Sequence, residues 1–519
     1  MHPQVHSKST PDKAACIIAA TGEVLTYREL EEKSNQGAHL FRSLGLKRGD
    51  VLAVLLNNEI ELFPIAWAAQ RAGLYLASIS TRFSPADIGY ILADSGARLL
   101  IASDDLLDLA AQAAANITET VPVYGIRVGE RAWASESAAF PGTPIADQAA
   151  GADMLYSSGT TGRPKGVKPP LPDERLAVAT PLATLGQRLY GMNEDTVYLS
   201  TSPLYHSAPQ RWALTIQRLG GTVLVMDHFD AEQSLRLIER YRVTHGTWVP
   251  THFVRMLKLP EEVRAAFDLS SLQAAIHAAA PCPVPVKREM IAWLGPIVFE
   301  YYSGTEMCGM TALSSEEWLA KPGSVGRAVL GVIKVVDDNG DEVPNGTVGN
   351  VYFADGPRFV YHNDPEKTRH AYNRHGWATL GDVGHIDADG YLFLSDRKHF
   401  MIISGGVNIY PQEIENCLGS HPMIADVAVI GAPDDEMGER VLAVVQLSPE
   451  FTASPELAQD LRAYARAALG GVKCPSLFEF RDALPRDPTG KLMKRKLIDE
   501  YRAAANAQGA MAAVQGSAQ

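Results

Sequence analysis

The segment YSSGTTGRPKGVK at 156–168 gathers hydroxyls, glycines and a lysine into one short stretch, directly after the strand-like DMLY. A strand feeding such a loop turns backbone N–H groups toward an anion, and glycine lets the backbone approach closely. Ser157, Ser158, Thr160 and Thr161 supply donors, Gly159 and Gly162 supply backbone freedom, and Lys165 supplies charge. A flexible linker has a similar composition. The loop is not a Walker loop: its lysine is followed by glycine and the GxxxxGK[ST] spacing is absent, which sets aside the P-loop NTPases. Other stretches are weaker alone. The YYSGTE of 301–306 reads as a strand end and turn, the basic run 491–496 as a solvated face, and His206 in SPLYHSAP as a structural histidine. Asp387-Ala388-Asp389-Gly390 is a hairpin turn, since too few ligands follow in register for a calcium loop.

The elements that position these residues are legible in the periodicity. Thr26 and Glu29 have capping-box spacing before a helix pattern that ends near Gly45. VLAVLL at 51–56 reads as a buried strand. Ser84-Pro85-Ala86-Asp87 opens a second helix with Ile88, Ile91 and Leu92 on one face, Gly96 stops it, and Leu99-Leu100-Ile101 follows as a strand. Helices alternating with short apolar runs imply parallel sheets covered on both faces. From about 320 to 395, short β-like runs separated by DNGDEVPNG-type turns predict an antiparallel, barrel-like subdomain. Beyond about 400 a helix, two strands and a helix predict a small α+β domain, with a frayed small-residue tail.

Bulk properties narrow the function classes. At 519 residues, 46% hydrophobic and 21% charged, the chain can bury more than one core. A net charge of −13 argues against a general nucleic-acid surface. Five widely spaced cysteines without a CxxC pair fit a reducing compartment and offer no zinc site. The polar N-terminus has no apolar signal core, and no apolar run is long enough to span a bilayer. A cytoplasmic protein is the expectation.

With these motifs in order, the chain resembles the adenylate-forming acyl-CoA synthetases, relatives of peptide-synthetase adenylation domains and firefly luciferase. The 156–168 loop matches that family's phosphate-binding signature along its length, and the resemblance covers roughly 20–500. It implies an α/β N-terminal adenylation domain over 1–398, a mobile α+β lid over 399–519, and a tail disordered from about 503. It also implies ATP, Mg²⁺ and coenzyme A as cofactor and co-substrates. By the same resemblance Tyr302 stacks on adenine, Thr305 contacts the α-phosphate and Glu306 holds Mg²⁺. Asp382 and Arg397 clamp the ribose, Gly405 and Gly406 line the pantetheine tunnel, and Lys491 bridges the substrate carboxylate and the ATP phosphates. His206 is the candidate gate of the acid pocket. Ala278–Ala280 of HAAAPC leave room for the acyl group, and Met307, Cys308 and Met310 form either an apolar floor or plain core. The sequence departs from the family pattern at Glu300, Ser303 and the hinge position, where His399 stands in place of Asp or Lys.

The activity so implied is an acid–thiol ligase that releases AMP and pyrophosphate, with a small-molecule carboxylic acid as partner and a homodimer admitted. No fixed cation or dense hydrogen-bonding set is visible for a polar acid, so an apolar acid is expected, whether fatty, aromatic or sterol-derived. The rival readings are loading of an acyl-carrier protein and an inactive homologue serving as a scaffold. The intact set Thr305, Glu306, Asp382, Arg397 and Lys491 speaks against the second.

Overall fold

The computed structural model describes residues 2–157, 164–172, 176, 180–397, 400–404, 407–434, 437–471, 473–486 and 492–503, the side chains of Ser157, Asp396, Arg397 and Asn408 excepted. A nine-stranded sheet runs in the order Arg327–Leu330, Met310–Leu313, Val298–Ser303, Ala274–His277, His245–Trp248, Val197–Ser200, Thr222–Val225, Ala14–Ile18 and Val24–Thr26. Its central strands are parallel and its edges antiparallel. A second, all-parallel sheet has the order Val123–Gly125, Ala97–Ala102, Val51–Leu55, Tyr75–Ser78 and Ala152–Asp153.

Helices Tyr27–Ser43, Leu62–Arg71 and Ser207–Leu219 fill the layer between the two sheets. One core joins Phe41, Phe63, Trp67 and Trp212 to Leu52, Val54 and Leu76 of one sheet and Tyr198, Val223 and Ile276 of the other. The outer faces are covered as well, by Ile88, Ile91 and Leu92 on one side and by Leu235, Ile238, Phe253 and Met290 on the other. This double coverage explains why the central strands read as unbroken apolar runs. Local signals act where the spacing places them. Both bonds of the Thr26–Glu29 capping box form, a motif whose cap alone contributes about 0.5–2 kcal/mol. Gly96 closes Pro85–Ser95 in the left-handed region at φ 65°.

The antiparallel subdomain comprises Val332–Val336, Gly349–Ala354, Asp382–Ile386 and Leu392–Arg397. Three short strands, Leu155–Ser157, Lys165–Lys168 and Val360–Tyr361, join its core through Val167, which packs with Cys308, Phe353, Phe359 and Leu392. The strands that flank 158–163 are therefore seated on an element encoded far downstream. Cys308 is fully buried there, and burial with the nearby Glu306 carboxylate pushes its thiol up to about 12. For Cys308 this is core packing rather than a pocket floor.

In the small domain, Ile424–Asp434 and Gly438–Leu447 form a long antiparallel pair. One face, with Val429, Ala443 and Val445, receives helices Pro411–Gly419 and Pro455–Leu469, and the other, with Ile430 and Val444, receives Leu497 and Ile498 of the helical residues 494–503. Among the described residues no helix is long and apolar enough to cross a membrane.

Candidate active site

Strands 197–200, 245–248, 274–277 and 298–303 are parallel, so the segments that leave them emerge along one edge. That edge, outside the carboxyl ends of parallel strands, is where α/β sheets bind ligands. The turn after Ser303 is tight. Ser303 Oγ donates to the Gly309 carbonyl at 2.7 Å, the Met307 N–H donates to the Gly304 carbonyl, and Met307 sits at φ 52°. A non-glycine residue held in that region stores strain, a feature that concentrates at functional sites. Gly304 is closely surrounded: a Cβ there would lie 2.6 Å from both Glu306 Oε2 and Leu380 Cδ2, so those side chains would have to shift.

The turn meets three distant parts of the chain. Tyr302 donates its hydroxyl to Asp382 Oδ2 at 2.6 Å, and Asp382 is nearly buried. Asp382 and Arg397 are direct cross-strand partners, which brings the two residues of the expected ribose clamp side by side. On the other flank the hairpin pairs Tyr156 with Gly166 and Ser157 with Lys165. Tyr156 anchors it by donating to Asp94 Oδ2 at 2.6 Å, and its ring lies 2.8 Å from where a Cβ on Gly166 would be. Lys165 Nζ stands 5.5 Å from the centroid of the Tyr361 ring, and the Tyr361 hydroxyl donates to Glu306 Oε1 at 2.7 Å. Lys165, Glu306, Tyr302 and Asp382 are thus gathered at one strand end from separate stretches of sequence.

The donor set fits a magnesium nucleotide better than a resident metal. The described residues contain no cluster of three or more His, Cys, Asp or Glu placed for a metal ion. A single carboxylate such as Glu306 is the usual protein contribution when phosphate oxygens and water complete the octahedron.

His206 precedes helix Ser207–Leu219, and its ring lies 4.6 Å from that of Tyr205. One turn on, Arg211 ties this helix to the site, donating to Asp153 Oδ2 at 2.7 Å and to the Thr305 carbonyl at 2.9 Å. Further along the helix Trp212 donates to the Tyr301 hydroxyl at 3.2 Å, within an aromatic wall that includes Tyr190 and Phe299. The Ala278–Ala280 loop holds Ala279 at φ 77°. Behind that loop, on the opposite face of the sheet, Lys287 Nζ contacts Glu300 Oε2 at 2.5 Å, with His277 Nε2 3.4 Å from the same oxygen. Burial, reinforced by the Lys287 charge, holds His277 well below its usual pKa, so it is neutral. Burial raises Glu300, while Lys287 opposes the shift.

Sequence reasoning missed Arg211, Tyr361 and the Lys287–Glu300 pair. Only Glu300 carried a signal, as a charged residue where the family pattern has asparagine. Ser158, Gly159, Thr160, Thr161, Gly162, His399, Gly405, Gly406 and Lys491 lie outside the described residues. Their flanks are fixed: strands 402–404 and 407–409 pair around positions 405 and 406, and Arg486 bridges to Leu492 around 487–491.

Comparison with known proteins converges on one family. The profile described as AMP-binding enzyme matches residues 4–359, and that described as AMP-binding enzyme C-terminal domain matches 413–491. A fatty acid–[acyl-carrier-protein] ligase from Streptomyces coeruleorubidus is 32% identical, over 96% of this chain and 97% of its own length. A long-chain-fatty-acid–CoA ligase from Mycobacterium tuberculosis is also 32% identical, over 95% and 96%. Among solved structures, ATP-bound MatB from Rhodopseudomonas palustris superposes with a TM-score of 0.82 at 27% identity, covering 96% of this chain and 99% of that one.

Proposed function

The chain belongs to the AMP-binding enzyme family, and from that premise we propose that it condenses an apolar carboxylic acid with ATP and then transfers the acyl group to coenzyme A. The observation that carries this reading is the meeting of Lys165, Tyr302, Glu306 and Asp382 at one strand end. Tyr302 offers adenine a ring face, while Asp382 accepts from the ribose hydroxyls and Arg397 assists it. The 157–162 donors and Lys165 hold the phosphates, and Glu306 holds Mg²⁺, which supplies charge neutralisation on the phosphate oxygens when bound. Lys491 offsets the repulsion between substrate carboxylate and triphosphate. A carboxylate oxygen attacks the α-phosphorus, the bond to pyrophosphate breaks, and acyl-AMP forms. The thiol of coenzyme A, losing its proton, then attacks the acyl carbonyl and expels AMP.

An apolar acid is supported by the half-buried Phe299 and Tyr301, which pack against the core beside the His206 helix. Arg211, a cation on that helix, is engaged by Asp153 and the Thr305 carbonyl. The domain division falls at 398/399, with His399 as hinge, so that the small domain presents Lys491 in one half-reaction and Gly405-Gly406 in the other.

The fatty acid–[acyl-carrier-protein] ligase relative favours a second reading, in which the acceptor is a carrier-bound pantetheine thiol. One experiment separates the two. Pyrophosphate release is followed over a panel of fatty, aromatic and sterol-derived acids, then thioester formation is measured with coenzyme A or with holo carrier protein. Acid-dependent pyrophosphate and acyl-CoA are expected. Thioester on the carrier alone installs the second reading, and absence of acid-dependent pyrophosphate overturns both.

A further inference from the structure

Tyr361 has no place in the motifs, yet its hydroxyl donates a 2.7 Å hydrogen bond to Glu306 Oε1. Its backbone is fixed on several sides. It pairs with Val167 in the strand that leaves the anion hairpin, and its N–H donates to Thr368 Oγ1 at 2.9 Å. The next N–H, of His362, donates to the Gly166 carbonyl at 2.8 Å. The ring packs edge-on against Phe359, 5.3 Å between centroids, and Lys165 stands over it. A ring so bounded has little rotamer freedom, so its hydroxyl is delivered to one place.

The two oxygens of Glu306 are sorted as a result. Oε1 is held by the phenol, while Oε2 lies on the side of Gly304, next to where the Leu380 side chain packs, and takes no part in the phenol hydrogen bond. Glutamate ordinarily loses considerable rotamer freedom when it coordinates an ion, and here part of that ordering is already in place.

We propose that Tyr361 is a positioning residue for the nucleotide's divalent cation: it fixes one oxygen of Glu306 so that the other is presented to the cation, and its ring keeps Lys165 in step with that carboxylate. The inference rests on the reading of Glu306 as the cation's protein ligand. Because the strand carrying Tyr361 is laddered to the strand leaving the anion hairpin, phosphate binding and cation binding share one rigid connection.

Tyr361→Phe keeps the ring, its packing and its contact with Lys165, and removes only the O–H. The probe is a non-hydrolysable ATP analogue, titrated calorimetrically with excess Mg²⁺ and again in EDTA. A hydrogen bond to a charged group contributes enough for about a tenfold effect. Affinity with Mg²⁺ should therefore fall about tenfold, with EDTA values within about twofold of wild type. The Mg²⁺ concentration for half-maximal pyrophosphate release should rise by a similar factor. Glu306→Gln is run alongside. If Glu306→Gln loses Mg²⁺-dependent affinity and Tyr361→Phe does not, the inference is overturned and the reading of Glu306 stands. If neither variant responds to Mg²⁺, that reading fails and the inference falls with it. Equal weakening of Tyr361→Phe with and without Mg²⁺ makes Tyr361 a nucleotide contact, which also overturns the proposal.

Discussion

Among the described residues two lysine–glutamate pairs are buried, one in each domain, and they are built differently. Lys287 and Glu300 are almost wholly enclosed, their atoms 2.5 Å apart, with Trp318 facing the ammonium and neutral His277 beside the carboxylate. Lys494 and Glu415 are a little more open at 2.9 Å, with Phe400 facing the ammonium and the Val429 N–H donating to Glu415 Oε1. The first pair anchors the helix that follows the 278–283 loop, through Lys287, to the strand bearing Glu300, and His277, which directly precedes that loop, lies beside the same carboxylate. The second ties the start of the C-terminal helix, just past 487–491, to the small-domain core and to Phe400, one residue beyond position 399. Replacing such pairs with apolar residues is often neutral or stabilising, so burying them is poor value as stability alone. What each does achieve is geometry: one anchors the helix that follows a loop at the candidate site, the other fixes the start of the helical residues 494–503 against the small-domain core.

The largest effect should come from breaking the large-domain pair. Lys287→Met leaves Glu300 without a counter-charge in a closed core, which costs about 3–5 kcal/mol. All seven tryptophans lie between 67 and 377, so fluorescence-monitored urea unfolding reads the large domain alone. The midpoint should fall sharply and both half-reactions should fail, while Lys287→Met/Glu300→Leu should recover most of the stability. A wild-type midpoint in Lys287→Met would erase the contrast between the pairs. Lys494→Met should act more locally, because its partner also accepts a backbone hydrogen bond. Acid-dependent pyrophosphate release should drop at least about tenfold, an effect of the size of one lost charged contact. AMP affinity of the large domain should remain within about twofold. A matching loss of AMP affinity would mean that this pair serves the large domain as well.

The contrast between the pairs was only partly legible in the sequence, and the physical reason is range. Short-range signals were readable: the Thr26–Glu29 capping box, the Ser84–Pro85 start, and the two apolar strands of the small domain. Motif residues were readable because their chemistry is concentrated in a few adjacent positions. Tyr361 was not, since its meaning depends on a ladder to 165–168, nearly two hundred residues upstream, and on a glutamate in a third segment. Glu300 stood out as a charge in the wrong place, yet its partner arrives on a helix whose lysine has no distinguishing neighbours. Cys308 shows the converse. Its nearness to Glu306 in sequence invited a place in the pocket, but the turn at Met307 sends it into the subdomain core.

Acid should expose the large domain next. His277, His252, His245 and His2 are all held below the usual histidine pKa, with burial the main cause, and His252 is pushed to about 3. A depressed folded-state value means these groups favour the folded state fully above about pH 6.5, and that contribution is lost as pH falls toward 3. Glu300, raised by burial, runs the other way: its contribution is present below about pH 4.3 and lost as pH rises through its folded value. The four histidines outnumber it, so tryptophan-monitored stability should decline steadily below pH 6.5. The small domain holds none of these four histidines, so the unfolding of that domain followed by exchange of the 424–434 amides should be less sensitive over pH 6.5–5. Equal slopes in the two domains would place the acid sensitivity elsewhere.

The smallest effect is the sharpest test of what the Lys287 pair does. Ala279 occupies the left-handed region at φ 77°, where a Cβ crowds the backbone and glycine is at ease. The loop around it is bounded by His277 and by Lys287, which is held to Glu300, and strain of this kind persists only where its surroundings over-determine the conformation. Ala279→Gly in the intact protein should therefore raise stability by about 1 kcal/mol, read as a modest rise in the urea midpoint. The same substitution in the Lys287→Met/Glu300→Leu background should gain much less, because a loop released from its staple relaxes and sheds the strain unaided. The difference between the two gains is the coupling energy of a double-mutant cycle, and residues sharing a loop and its anchor typically show at least about 0.5 kcal/mol. Identical gains in both backgrounds would mean that the turn strains itself, and that the buried pair does not set the loop.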